Sequence, residues 1–380
     1  VTSVVRGEPQ GPSGADAAAP APRPVSYYSP QLDGLRFLAA LAVYFHHAPA
    51  LGFMGPLKTY GWAGVDLFLV ISAYLLTRLM MLEYRETGQI ALKSFFVRRA
   101  LRIWPLYFGY VTSITIVAVA GHKVAADAGL YWWMSHLSFS NNIMAAVKGY
   151  SIVPFTGHLW TISLEEQAYL VMPFVLAGCL AARPSTRTIV VAAACIAAVL
   201  VAARASLVMA GVQHPFIWVL PLRADSIVFG AVAALSGIIP EKSRAGLIFL
   251  LGSAGLVSVG LFPSIAVGGV YQTMGYTVVA LSCAVVVIAT QAPGMALNGF
   301  LGSRPMRHLG KVSFGFYVFH PLMLYAAEKA LTLFGLADAL AVFLLGLALT
   351  IGVASLSYTV YEAPFLKLKR RFTVVRSRAV

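Results

Sequence analysis

The sequence predicts an all-α polytopic membrane protein of about ten transmembrane helices, both termini cytoplasmic, with one extra interfacial or re-entrant segment. Three observations carry this. Of 380 residues, 59% are hydrophobic and only 11% charged, where a soluble domain would have about one-quarter charged. Apolar runs of roughly 20 residues, the length that crosses a bilayer core, recur from residue 37 to residue 361. Basic residues collect in alternate loops, the pattern of cytoplasmic loops. Lipid forces each segment to close its own backbone hydrogen bonds, which leaves helices or a closed barrel. Barrel strands alternate over about ten residues, and these runs do not alternate.

Taken in order, residues 1–31 are rich in Pro, Ala, Gly and Ser with no apolar stretch. They read as a disordered cytoplasmic arm, not a secretory signal. Residues 32–366 form the transmembrane domain, and 367–380 a basic cytoplasmic tail. Spans are expected at 36–55, 61–82, 103–121, 159–181, 188–210, 216–238, 246–262, 272–291, 312–333 and 339–361. The stretch 129–147, "GLYWWMSHLSFSNNIMAAV", is aromatic but carries Ser135, His136, Ser138, Ser140, Asn141 and Asn142. If it does not cross, the loops with Arg85 and Lys93, Arg183 and Arg187, Lys242 and Arg244, and Arg304, Arg307 and Lys311 all fall inside with the tail. If it crosses, the basic tail lies outside. The positive-inside rule therefore places it as an interfacial or re-entrant segment on the outer side.

The net charge of +14 is then the sum of cytoplasmic loops facing the lipid bilayer, not a nucleic-acid surface. Cys179, Cys195 and Cys283 all sit in apolar runs, at no spacing that suggests zinc or a disulfide framework. No metal site is expected.

Titratable groups inside lipid are costly and need a partner or a purpose. "LDGLRFLAALAVYFHHAP" holds Arg36, His46 and His47. From Arg36 to His47, eleven helical steps return to within about 20° of the same face, about 16 Å further along the axis. The spacing puts Arg36 at the cytoplasmic end and His47 near mid-membrane, with His46 off that face as a packing residue. Taken alone, a snorkelling arginine and a histidine bonded to a neighbouring helix would account for the pair. Further spans add Asp66 near the outer end of the second, and Arg98, Arg99 and Arg102 at the inner mouth of the third. Glu165 and Glu166 follow in the fourth, Arg223 and Asp225 in the sixth, and His320, followed by Pro321, in the ninth. Five spans with inward polar groups point to a shared polar cavity. Arg99 and Arg102, at i and i+3, share one face. With Arg36 they form guanidinium forks suited to phosphate. A histidine takes up a proton near neutrality. A long thin donor phosphorylated at one end, such as a coenzyme A thioester, would span the gap, and the chemistry would be acyl transfer to a hydroxyl. A transporter also uses polar mid-membrane groups, but the chain shows no repeat symmetry and no paired broken helices.

With these motifs in hand, the chain resembles the acyltransferase 3 family of integral membrane O-acyltransferases over about residues 30 to 365. The resemblance rests on "LDGLRFLAALAVYFHH", "GVDLFLVISAYLLT", "FFVRRALRIWPLY", "LWTISLEEQAYL", "LRADSIVFG", "SFGFYVFHP" and "YEAPF", in that order. It implies transfer of an acyl group, often acetyl, from an acyl-CoA co-substrate such as acetyl-CoA to a hydroxyl. The family's arginine, ten residues, histidine motif falls on Arg36 and His47 and implies His47 as catalytic base. Its Arg-x-x-Arg motif falls on Arg99 and Arg102, implying contacts to CoA phosphates with Arg36 and Arg98 beside them. Asp225, Glu165 and Glu166 are the candidates to orient the base or bind acceptor hydroxyls. Asp66, Arg223 and His320 also match motif positions and are candidates for binding substrate. A rival route through an acyl-enzyme would use Asp66 and the Glu165–Glu166 pair, which this topology sets toward the outer side. Departures are Ala73 in "ISAYL", where glycine is frequent, and Phe319 in "VFH", where tryptophan is frequent. Neither removes a titratable group. The compact length is similar to members that acylate macrolide antibiotics, so a secondary-metabolite acceptor is expected, with a cell-surface sugar as the alternative. The Ala- and Val-rich composition fits a bacterial source and its cytoplasmic membrane.

Overall fold

A computed structural model describes residues 27–212, 219–260 and 271–373. Most of the expected N-terminal arm and the last seven residues of the tail lie outside the described residues, as do the edges of the expected spans 216–238 and 246–262. The described residues are helical, with no strand among them. The helices are α1 (Pro30–His47), α2 (Gly55–Tyr60), α3 (Ala63–Thr87), α4 (Leu92–Ala120), α5 (Ala126–Leu137), α6 (Asn141–Lys148), α7 (Trp160–Ala182) and α8 (Thr186–Met209). They continue as α9 (Leu220–Arg223), α10 (Asp225–Leu235), α11 (Lys242–Gly260), α12 (Tyr276–Ala289), α13 (Ala296–Leu301), α14 (Arg304–Leu333), α15 (Ala339–Ser357) and α16 (Ala363–Lys369).

Among the described residues, seven helical segments are long and apolar enough to cross a membrane: α3, α4, Gly157–Ala182, α8, α11, Gln272–Ala289 and Ala339–Phe372. The other three expected spans map onto α1, α14 and the shorter apolar α10. α1 and α14 are long, but they carry the arginines and histidines that lower their apolarity. The result is a multi-pass membrane protein whose least apolar long helices hold its polar centre.

α1 packs against both α3 and α14, and α10 against α3. Close approach rests on small residues, as membrane helix interfaces require. A Cβ on Gly64 would collide with the Ala39 carbonyl, and one on Gly310 with the carbonyl of Asp33. Gly310→Val is therefore expected to push α14 off α1. Overpacking of this kind costs about 1–3 kcal/mol and is read as a lowered unfolding temperature in detergent; unchanged unfolding would show that the two helices part freely.

α1 differs in register from the expected span 36–55. It begins at Pro30 and stops at His47. Ala48 precedes Pro49 and is extended (φ −68°, ψ 161°), because a proline excludes helical geometry from the residue before it. His47 is thus the last residue of α1 and exposed at its end, not halfway along a helix.

The ambiguous stretch 129–147 folds as a helical hairpin of α5 and α6, packed against α4 and α7. Gly129 lies against Val119 and Thr115 of α4. Trp133 Nε1 donates to Thr112 Oγ1 at 3.0 Å, and Tyr107 Oη lies 3.0 Å from His136 Nδ1. The Phe139 ring stacks on Tyr107 (5.2 Å, 20°) and packs against Trp104. As α5 advances, its partners on α4 thus recede from residue 119 to residue 104, a descent of about 22 Å. α6 then turns back along α7. Polar groups buried where the two helices meet need partners from the protein. Here Gln167 Nε2 donates to the Phe139 carbonyl at 2.8 Å and to Asn142 Oδ1 at 2.9 Å. Asn142 Nδ2 returns a bond to Gln167 Oε1 at 3.1 Å, and Asn141 Oδ1 accepts from Ser163. The polar residues that kept this stretch from reading as a span are the ones that hold its tip.

Candidate active site

Three histidines converge at the end of α1. His47 comes from α1, His320 from α14, and His158 from the 3₁₀ turn Gly157–Leu159 that leads into α7. Ring centroids of His320 lie 4.9 Å from His47 and 4.9 Å from His158, and His47 and His158 are 6.4 Å apart. His320 Nε2 is 3.2 Å from His47 Nδ1. Tyr317, one turn before His320, donates from its hydroxyl to the His158 carbonyl at 2.6 Å, and its ring lies 5.2 Å from His158. Thr161 Oγ1 is 2.6 Å from the same hydroxyl. His46, its ring 5.1 Å from that of His47, turns its Nδ1 to donate to the Lys58 carbonyl at 2.7 Å.

Two adjoining cavities that share lining residues extend from Thr161 and Tyr317 to Arg99, Arg102 and Lys369. The larger is lined by Arg36, Arg99, Arg102, Glu165, Tyr169 and Lys369, among others. The smaller shares Arg36, Glu165 and Phe314 with it and ends at Thr161 and Tyr317. Thr161 and Tyr317 therefore stand between the cavity and the histidines. The Arg99 guanidinium lies 5.9 Å from the Tyr169 ring, and Tyr169 donates to Glu165 Oε1. Arg102 Nη2 donates to the Lys311 carbonyl at 3.3 Å. Arg36, Arg99 and Arg102 thus share one chamber, and α1 carries the line from Arg36 to His47 over about 16 Å.

Other expected site residues stand elsewhere. Glu165 was placed toward the outer side; it lines the arginine chamber instead, because α7 turns it toward α1 and α4. Glu166, one helical step round, faces α4 and accepts from Trp104 Nε1 at 3.0 Å; it lines neither cavity. Arg98 is committed to Glu83 at 2.9 Å and to the Phe372 carbonyl at 2.7 Å, tying α4 to α3 and the C-terminal segment. Asp66 is paired with Arg223 at 2.7 Å and accepts from Ser226 Oγ at 2.7 Å, and the Arg223 guanidinium lies 4.0 Å from the Tyr276 ring centroid. Asp225 is paired with Arg204 at 2.9 Å, and its Oδ2 also accepts from Thr277. None of Asp66, Arg223 or Asp225 lines either cavity. These carboxylates are held by arginines that burial would otherwise leave uncompensated. His320 is 1% exposed with both ring nitrogens engaged by protein, which sets it beside His47 and outside both cavities.

Two residues that matter escaped the sequence reading. His158 sits in an irregular turn, where no periodicity assigns a face. Arg204 hides in the apolar run of α8, yet is fully buried and bonded to the Thr273 and Leu222 carbonyls as well as Asp225. Among the described residues, no cluster of three His, Cys, Asp or Glu is arranged to hold a metal ion.

Membrane-length helices around a basic chamber and a histidine cluster define a membrane protein with the parts of a group-transfer centre. The chain belongs to the acyltransferase 3 family, whose profile, described as Acyltransferase domain, matches residues 29–359. It is similar to the Peptidoglycan O-acetyltransferase OatA of Listeria monocytogenes, 26% identical over 77% of this chain and 49% of that protein. It is also similar to putative O-acetyltransferases of Staphylococcus aureus, 35% identical over 39% of this chain and 25% of theirs. An O-acetyltransferase OatA of Staphylococcus aureus is 33% identical over the same shares. The chain thus spans about half or less of the length of these relatives. No solved structure matches it significantly.

Proposed function

We propose that this protein is a membrane O-acyltransferase that moves an acetyl or other short acyl group from an acyl-CoA to a hydroxyl of a cell-surface glycan. The observation that carries the reading is the chamber of Arg36, Arg99 and Arg102 leading toward His47, His158 and His320. The acceptor follows from the relatives: one is a peptidoglycan O-acetyltransferase, and a glycan therefore replaces the macrolide-type acceptor expected from length.

The donor fits the residues present. Arg99 Nε is buried without a hydrogen-bond partner among the described residues, a donor position that a phosphate oxygen would satisfy. Arg36 and Arg102 line the same chamber. The bound donor supplies an activated thioester carbonyl. His47 takes the proton of the acceptor hydroxyl as that oxygen forms the ester bond, and returns it to the departing thiol. His47 is exposed at the end of α1 while the arginines lie on the other side of Thr161 and Tyr317. Donor and acceptor then approach the base from opposite directions.

The test is purified protein in detergent, given acetyl-CoA and solubilised peptidoglycan fragments, with products read by mass spectrometry. No acetyl-CoA-dependent O-acetylation of any hydroxyl would sink the reading. Arg99→Gln and Arg102→Gln are each expected to raise KM for acetyl-CoA about tenfold or more, the worth of a charge-assisted hydrogen bond, with kcat little changed. A fall in kcat at constant KM would remove these arginines from donor binding.

A further inference from the structure

A proline has no N–H, so Pro321 cannot close the helical bond to the carbonyl four residues back. In α14 that carbonyl belongs to Tyr317. His320 occupies it from the same helix, with Nδ1 at 2.7 Å. A carbonyl oxygen only accepts, so His320 Nδ1 carries the hydrogen and Nε2 keeps its lone pair. His47 Nδ1 lies 2.9 Å from the Val43 carbonyl, so it too carries a hydrogen. The 3.2 Å contact between the rings then works in one sense: the one Nδ1 hydrogen of His47 is shared between the Val43 carbonyl and His320 Nε2, both of which accept. His47 Nε2 is left with the lone pair.

We propose that His320, anchored by the Tyr317 carbonyl that Pro321 leaves open, is a positioning residue that, together with the Val43 carbonyl, holds His47 as its Nδ1–H tautomer, making Nε2 the base for the acceptor hydroxyl. This rests on His47 being the base proposed above. A serine hydrolase gives the same task to a carboxylate. Here a neutral imidazole does it, at a site where an unpaired carboxylate would be costly. The rings against the pair are His158, Tyr44, Tyr317 and His46, and one charge acts on His47, the Lys58 ammonium held on the Ala48 carbonyl at 2.6 Å. As His47 gains a proton, its Nδ1–H bond to His320 becomes charge-assisted and stronger. The gain therefore falls on the transition state more than on the ground state.

Two readouts on the full chain in detergent test this. The first is nitrogen NMR of isotope-labelled histidine, with His47 assigned by its loss in His47→Gln. Wild type and His320→Gln are expected to show His47 protonated at Nδ1, since the Gln Oε1 can accept where Nε2 did. His320→Leu, which leaves only the Val43 carbonyl to accept that hydrogen, is expected to show the Nε2–H tautomer as well. The second is acetyl transfer from acetyl-CoA to peptidoglycan fragments. His320→Leu is expected to lose about 10- to 100-fold in kcat, with KM for acetyl-CoA held and most activity rescued in His320→Gln. Pro321→Ala, which returns a backbone donor to Tyr317 and touches neither ring, should lower kcat in the same direction. An unchanged His47 tautomer in His320→Leu overturns the proposal, as does equal loss in the Leu and Gln variants or an unaffected Pro321→Ala. If the wild type transfers no acetyl group, the proposed function fails while the tautomer measurement still decides the role of His320.

Discussion

His47→Ala is expected to lose about 100- to 10,000-fold in turnover while still binding acetyl-CoA with near wild-type affinity. The split follows from geometry. The arginine chamber is lined from α1, α3, α4, α7, α14 and α16 and does not include His47, which stands about 16 Å along α1 from Arg36. Removing the imidazole takes away the proposed proton acceptor, and it leaves Arg36, Arg99 and Arg102, the proposed phosphate contacts, in place. Calorimetric binding of acetyl-CoA and single-turnover rates on the same preparation check both halves. His46→Ala is the internal control. It is the sequence neighbour, but its Nδ1 is spent on the Lys58 carbonyl, so its loss should leave turnover near wild type. Wild-type turnover in His47→Ala would end the assignment. Loss of acetyl-CoA binding in that variant would mean that donor and base are not separate stations.

What could be read from sequence was set by how local the cause is. Helical periodicity alone aligns Arg36 with His47, and Arg99 with Arg102, because each pair lies on one helix. That 129–147 is not one continuous apolar helix was legible from Ser135, His136, Asn141 and Asn142, although the descent along α4 was not. Pro49 would have ended α1 at His47 had its effect on Ala48 been weighed against the apolar run that continues past it; instead the histidine was set at mid-helix. Long-range pairing left no such trace. Arg223 sits two residues from Asp225, yet it bonds Asp66, 157 positions away in the chain, and Asp225 takes Arg204 from a helix that reads as purely apolar. A burial-driven ion pair is chosen by which helices pack together, and no spacing along the chain encodes that. His158 was missed for a related reason: a residue in a 3₁₀ turn has no helical face to share with its partners.

The Asp225–Arg204 pair offers the sharpest separation of structure from catalysis. Both side chains are fully buried. Arg204 also donates from Nε to the Thr273 carbonyl at 2.9 Å, in the π-helical turn Tyr271–Gly275 that leads into α12. Such a turn breaks the regular backbone ladder, and the guanidinium supplies a donor to it. Asp225→Ala should therefore cost about 3–5 kcal/mol, because it strands a buried guanidinium, and Arg204→Met should cost a similar amount by stranding the carboxylate. The double variant Arg204→Met/Asp225→Leu removes both charges together. Replacing a buried pair by apolar groups is often neutral, so its unfolding temperature in detergent should rise back toward wild type, less the loss of the Thr273 bond. Acyl transfer should return with stability, since neither residue lines the chamber or touches the histidines. A double variant that is folded and stable but inactive would restore Asp225 to the reaction. Recovery of both properties would fix it as part of the frame that holds α8, α10 and α12 together.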